Sequence, residues 1–260
     1  MKRMMIWFAA VMLCGAIAAA RDTHALYRLE RLSGSTRLNV DSAAKTELKA
    51  ILDSCGSPER RYNFVLDARE MLWNIESPSH NEPLMHALLE MAVTCGGYTD
   101  DQRMRIDALL DVARVNPVGA KAANLRWLTD DGAEGELYKI STPLTLIYFN
   151  DPDCIACHKV KERLDTCQTL RALVEQRKLT LVALYPYGDT DLWQQDEYPD
   201  YVLNARDHLS AIENDETYIL PSMPLFYLLD AEKAVILKNE PSLNRVLEYI
   251  NHNAIKIKQL

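Results

Sequence analysis

Residues 144–157 read LTLIYFNDPDCIAC. Leu144 to Phe149 is a short apolar run rich in β-branched and aromatic residues, the pattern of a buried strand. Asn150-Asp-Pro-Asp153 breaks the run, and helical spacing starts at Cys154 and continues to Leu164. Cys154 and Cys157 therefore fall where a strand hands over to a helix. A helix N-terminus presents unpaired N–H groups and about half a positive charge, which favours a thiolate over a thiol. Cys154 is expected to be the attacking sulfur, and Cys157, one turn further in, to resolve the mixed disulfide. Asp151 and Asp153 oppose this, because a nearby carboxylate disfavours a second negative charge.

The same letters carry other readings. With His158 they spell C-x-x-C-H, a covalent haem attachment signature, in which His158 would be the proximal ligand and Met223 a distal one. The apolar strand running into the motif is not something a haem site requires. Zinc would take Cys154 and Cys157 as two ligands, with Cys167 or His158 as a third, but no second C-x-x-C or H-x-x-x-H completes a set of four. Cys167 reads as a buried or free thiol.

Working outward, Cys167–Lys178 reads as a continuation of that helix or as a second one, and Leu179–Tyr185 is the next strand. A helix is expected around Tyr201–Ile212. Pro221-Ser-Met-Pro224 leads into a strand over Leu225–Leu229, with a hairpin partner at Ala234–Leu237 and a last amphipathic helix over Ser242–Ile255. Upstream, Asn124–Leu128 and Glu136–Ile140 flank the turn Asp130-Asp-Gly132 as a hairpin or as two short strands. Alternating strands and helices imply a central sheet with helices on its faces.

From about Asp41 to Val115 the pattern is purely helical. Helices are expected from Asp41 or Ser42 to Ser54, from Pro58 to Ile75, from Glu82-Pro83 to Cys95, and from Thr99 or Asp100 to about Val115. Together they read as a small antiparallel bundle. Cys55 and Cys95 each sit at a helix C-terminus just before glycine, so a bundle can bring them together as a structural disulfide, or leave them as two free thiols.

The segments LTLIYFNDPDCIAC and LPSMPLFYLLDAEKAVIL together resemble the thioredoxin superfamily, specifically its TlpA/ResA-like exported thiol-disulfide oxidoreductases. The resemblance covers about Pro117 to Leu260. It implies a mixed sheet flanked by helices, a cis-proline at Pro224 beside the cysteine pair, and Met223 offering backbone groups to a substrate polypeptide. It implies no bound cofactor. The helical half resembles a domain found ahead of such modules in exported proteins of the Bacteroidetes type. This chain departs from the pattern in having Asp153 where a tryptophan often precedes the first cysteine, and Tyr148 where thioredoxin has a buried acid. The proton-transfer helper is thus unassigned, with Glu162 and Asp165 as candidates by proximity alone.

Lys2 and Arg3, the apolar run Ile6–Ala18 and the triplet Ala18-Ala-Ala20 read as a signal peptide cut before Arg21. Cys14 within that run would be a lipidation site, but Leu13 before it is bulky where processing wants a small residue. Membrane association is expected only through lipidation or an uncleaved signal. Cleavage leaves Cys55, Cys95, Cys154, Cys157 and Cys167 in a compartment where disulfides persist. The formal net charge of −8, with no basic cluster, makes nucleic acid an unfavourable partner.

The expected organisation is a signal peptide over 1–20, a helical domain over 21–115 and a thioredoxin-like α/β domain over 116–260. The expected activity is dithiol–disulfide exchange with protein substrates and a further redox partner. The competing reading is a binding module of the same fold with an idle disulfide.

Overall fold

The computed structural model describes residues 22–36, 40–188 and 192–253. The expected signal peptide and the far end of the last helix lie outside the described residues.

Among the described residues five helices precede the sheet: α1 (Thr23–Ser35), α2 (Ser42–Ser54), α3 (Pro58–Leu72), α4 (Glu82–Ala92) and α5 (Asp100–Arg114). Each is started by a side chain that accepts an otherwise unpaired amide proton, an interaction usually worth about 1 kcal/mol. Asp41 accepts from Ala44 N at 2.8 Å and Asn81 from Leu84 N at 2.9 Å, while Thr99 and Gln102 cap each other reciprocally. α1 was not anticipated. Its apolar positions are few, but Asp22 caps it and Ala25 and Leu29 are wholly buried in the bundle core beside Leu48, Leu52, Phe64 and Leu88. Cys55 and Cys95 are free thiols here, the second of the two alternatives their positions left open. Each sulfur instead lies against the carbonyl four residues back, at Ile51 and Met91.

The remainder is built on a seven-stranded mixed sheet in the order β2-β1-β5-β4-β3-β6-β7. The strands are β1 (Arg126–Thr129), β2 (Glu134–Glu136), β3 (Leu144–Phe149), β4 (Leu179–Tyr185), β5 (Val202–Asp207), β6 (Leu225–Leu229) and β7 (Val235–Glu240). β3, β4 and β5 run parallel, and β6 runs antiparallel to β3. Helices α6 (Ile155–Asp165), α7 (Gln168–Glu175), α8 (Ala211–Asn214) and α9 (Leu243–His252) complete the chain. β3 is buried on both faces: Leu144, Leu146 and Tyr148 belong to the core that holds Val160, Leu164 and Val246, and Ile147 and Phe149 to the core that holds Trp127 and Tyr218. That double burial explains why its sequence is a continuous apolar run.

The helix expected over Tyr201–Ile212 is instead strand β5 followed by the single turn α8. VLNARD holds weak strand formers, but its backbone pairs with β4 on one side and β1 on the other, and this pairing outweighs intrinsic preference. Asn204 donates from Nδ2 to the carbonyls of Trp193 and Asp196, and buried Asp207 accepts the amide protons of Leu209 and Ile212, which ends the strand.

The helices are fastened to the sheet at β7. Lys238, buried, donates to the carbonyls of Val115 at 2.7 Å and Ala113 at 3.3 Å, and Asn239 donates to Glu82 Oε1 at 2.9 Å. His80 is buried nearby, and desolvation pushes its pKa below the usual histidine value, Glu82 opposing and Arg245 assisting. A depressed folded value means that the unfolded chain takes up a proton first as pH falls below about 6.5, so folding stability falls with it, by no more than about 1.4 kcal/mol per pH unit for this group. Half-buried His86, whose pKa is also lowered by desolvation, acts in the same direction. Urea midpoints are expected to drop between pH 7 and pH 5, and His80→Gln to flatten that slope; an unchanged slope refutes the assignment.

Candidate active site

β3 delivers the chain to the site, and its pairing with β4 carries one residue past the strand, where Asn150 N donates to Leu184 O at 3.1 Å. Asp151 then closes a tight turn, its Oδ1 accepting from Asp153 N at 2.8 Å and its carbonyl from Cys154 N at 3.0 Å. The turn leaves Cys154 as the N-cap of α6, in extended backbone conformation. Its sulfur accepts the amide proton of Cys157 at 3.1 Å. This is the position in which a capping oxygen would otherwise sit, and the Cys157 N–H is shared between the sulfur and the Cys154 carbonyl, 3.0 Å away.

Cys154 and Cys157 are joined as a disulfide, with Cα atoms 5.2 Å apart. Cys157 is buried at 3% exposure, whereas Cys154 is partly exposed, so only Cys154 can meet an incoming macromolecule. Across the site, Met223-Pro224 is a cis peptide, and the Met223 carbonyl oxygen lies 3.5 Å from Cys154 Sγ. Residues sixty-nine positions apart are therefore brought into contact. They meet because β6, which Pro224 enters, pairs antiparallel with β3 and places Leu225 opposite Phe149.

Tyr148 occupies the buried position behind the pair. Its hydroxyl donates to the Cys157 carbonyl at 3.0 Å, and its ring stacks on Phe226 with centroids 5.1 Å apart. Burial pushes its pKa well above the usual phenol value, with Asp196 adding to the effect. Tyr148 thus holds the helix start in place and keeps its proton. Asp196 is paired with Lys161 of α6 at 2.7 Å, and Lys161 also lies 5.4 Å from the Tyr198 ring centre. Glu162 and Asp165 are exposed on α6, so neither is a buried acid beside Cys157.

His158 is exposed, and its Nε2 lies 2.7 Å from the Pro152 carbonyl, to which it donates. The ring pins the turn before Cys154 to the first turn of α6, a role that spacing alone does not reveal. The haem reading fits this arrangement poorly: both sulfurs are bonded to each other, and the imidazole nitrogen an iron would use is committed to Pro152. Among the described residues no group of three or more His, Cys, Asp or Glu is placed to hold a metal ion.

No protein-family model matches the chain, and no curated protein matches it. Among solved structures, a thioredoxin-like protein from Bacteroides caccae is similar over 92% of this chain and 96% of its own, at 23% identity and a TM-score of 0.72. The C-terminal domain of an uncharacterized protein from Bacteroides fragilis is 31% identical over 52% of this chain and 98% of its own, with a TM-score of 0.49. A domain of a possible thiol-disulfide isomerase from Cytophaga hutchinsonii is 20% identical over 55% of this chain and 97% of its own, with a TM-score of 0.42. The Bacteroides caccae structure spans both the helices and the sheet of this chain. The fold is accordingly α/β and thioredoxin-like in its C-terminal half, with an all-α bundle ahead of it.

Proposed function

We propose that this thioredoxin-fold chain is an exported thiol-disulfide oxidoreductase of the TlpA-like type, acting on protein substrates through Cys154 and Cys157. The observation that carries the reading is the environment of the Cys154 sulfur: partly exposed, at a helix N-terminus, facing the Cys157 amide and 3.5 Å from the Met223 carbonyl. In the reduced state, the Cys154 thiolate attacks one sulfur of a substrate disulfide and releases the other as a thiolate. Cys157 then attacks Cys154 Sγ, so the substrate leaves with two thiols and the Cys154–Cys157 bond forms. Run backwards, the same pair oxidises a substrate dithiol. By its resemblance to envelope reductases and isomerases, we favour the first direction. Pro224 shapes the wall beside Cys154, and Met223 offers its carbonyl to the backbone of the bound substrate.

Export follows from Lys2, Arg3, the apolar run and Ala18-Ala-Ala20, which support a signal peptide and an envelope or periplasmic location. The change from helices to strands near residue 115 supports two domains, 21–115 and 116–260.

Cys157→Ser in the full chain is expected to accumulate a mixed disulfide between Cys154 and substrate proteins, read as dithiothreitol-sensitive adducts on non-reducing gels and mapped by mass spectrometry. The second reading, an idle disulfide, draws on Asp153 in place of the usual tryptophan and on Tyr148 standing where thioredoxin has a buried acid. It predicts no adduct and a reduction potential below about −300 mV, the range of structural disulfides.

A further inference from the structure

A second group of thiols lies in the helical bundle, away from Cys154. Cys55 ends α2 and Cys95 follows α4 by three residues, and each begins a turn. The two turns touch. A Cβ added to Gly97 would lie 2.5 Å from Pro58 Cγ, and Gly97 also has φ +87°, so a side chain is excluded there on both counts. Arg61 spans the same contact, donating from its guanidinium to the Gly96 carbonyl at 3.4 Å. Tyr98, three residues on from Cys95, packs against the core cluster that holds Cys55, and Arg61 and Cys95 act electrostatically on both. Cys55 is completely buried and Cys95 is partly exposed. This is the division of labour seen at Cys154 and Cys157: one sulfur that a partner can reach and one behind it.

We propose that Cys55 and Cys95 are a second thiol–disulfide exchange site, which takes oxidising equivalents from a protein disulfide through Cys95 and closes a bond between the C-terminal ends of α2 and α4. In the first step, the Cys95 thiolate attacks one sulfur of the partner disulfide, the S–S bond breaks, and the partner's other sulfur leaves as a thiolate. In the second, Cys55 gives up its proton and attacks Cys95 Sγ, expelling the partner's remaining sulfur. The dithiol loses two electrons and two protons, and the partner disulfide becomes a dithiol. The Arg61 guanidinium lies at the turn that follows Cys95, bonded to the Gly96 carbonyl. Cys55 is slow to ionise because burial raises its pKa, with Asp22 adding to this and Arg61 and Arg60 opposing it, so initiation falls to Cys95.

The test uses the full chain with Cys154→Ala and Cys157→Ala, so that its outcome is independent of the first pair. The protein is equilibrated in glutathione buffers of graded poise, quenched with acid, alkylated and mapped by mass spectrometry. Peptides holding Cys55 and Cys95 are expected to be recovered linked in oxidising buffer and singly alkylated in reducing buffer. Closing a loop of this length is expected to raise the thermal midpoint by about 10 °C in the oxidised form, and Cys95→Ser to remove that difference. Cys55→Ala, which leaves no resolving thiol, is expected to hold glutathione on Cys95. Recovery of both thiols unlinked at every poise, or no adduct on Cys95 in the Cys55→Ala protein, overturns the proposal.

Discussion

Cys154→Ser is expected to reduce insulin-disulfide reduction by at least about 1,000-fold, to the rate of the uncatalysed thiol reductant in the assay. The size of the effect follows from chemistry at one atom. A thiol with an ordinary pKa near 8.5 is already a few per cent thiolate at neutral pH, whereas a serine hydroxyl is essentially un-ionised and is a poor nucleophile toward sulfur. Cys154 caps α6, and the Cys157 N–H lies 3.1 Å from its Sγ, where it favours the charged sulfur. Serine is a strong capping residue, so the helix start and overall stability are retained while exchange is lost. The buried partner cannot substitute, since Cys157 is 3% exposed. Far-UV circular dichroism and a urea midpoint within about 0.5 kcal/mol of the reduced parent are the controls that separate lost chemistry from lost fold. Retention of more than a tenth of the rate by the folded Cys154→Ser protein refutes Cys154 as the attacking sulfur.

The parts of the fold that were legible in the sequence are those whose residues carry their own geometric instruction. β3 and β6 are unbroken apolar runs because both faces are buried, and their predicted limits match the structure at both ends. The helix starts at Ser42 and Asp100 are marked by a capping residue, and those at Pro58 and Glu82 by a proline in the first turn. β5 was illegible for the opposite reason. Asn204, Ala205 and Arg206 have no strand preference, and what makes them a strand is partners that lie at Trp127–Thr129 and Leu181–Tyr185 in sequence. At the site, the meeting of Cys154 with Met223 was expected from resemblance to a family; from residues alone, a proline entering a strand would have been enough to explain Pro224. The hydrogen bond of His158 to Pro152 and the bond of Tyr148 to the Cys157 carbonyl depend on side-chain direction after folding, which spacing does not encode.

Lys238→Met is expected to destabilise the chain by about 3 to 5 kcal/mol, the cost of removing one member of a buried, hydrogen-bonded charge pair. The Lys238 side chain is 4% exposed and that of Glu82 10%, and the two approach to 3.8 Å across the junction of α4 with β7. The ammonium has further work at the end of α5, where the carbonyls of Ala113 and Val115 have no helical partner of their own and take protons from Lys238. Methionine matches the length of the stem but leaves the Glu82 carboxylate held by Asn239 alone, with those two carbonyls unpaired. Desolvation lowers the pKa of Lys238 despite the opposing pull of Glu82, so burial costs this ammonium more than its counter-ion returns. It follows that neutralising Glu82 as well should recover part of the loss: Lys238→Met with Glu82→Gln is expected to be more stable than Lys238→Met alone by at least about 1 kcal/mol. Urea unfolding followed by tryptophan fluorescence measures both. Because Lys238 ties the last turn of the bundle to β7, at the edge of the sheet, the single variant is expected to separate the two halves into distinct unfolding transitions, and the parent to unfold in one. Loss of less than about 1 kcal/mol in Lys238→Met, with a single transition preserved, would show that apolar packing alone joins the bundle to the sheet.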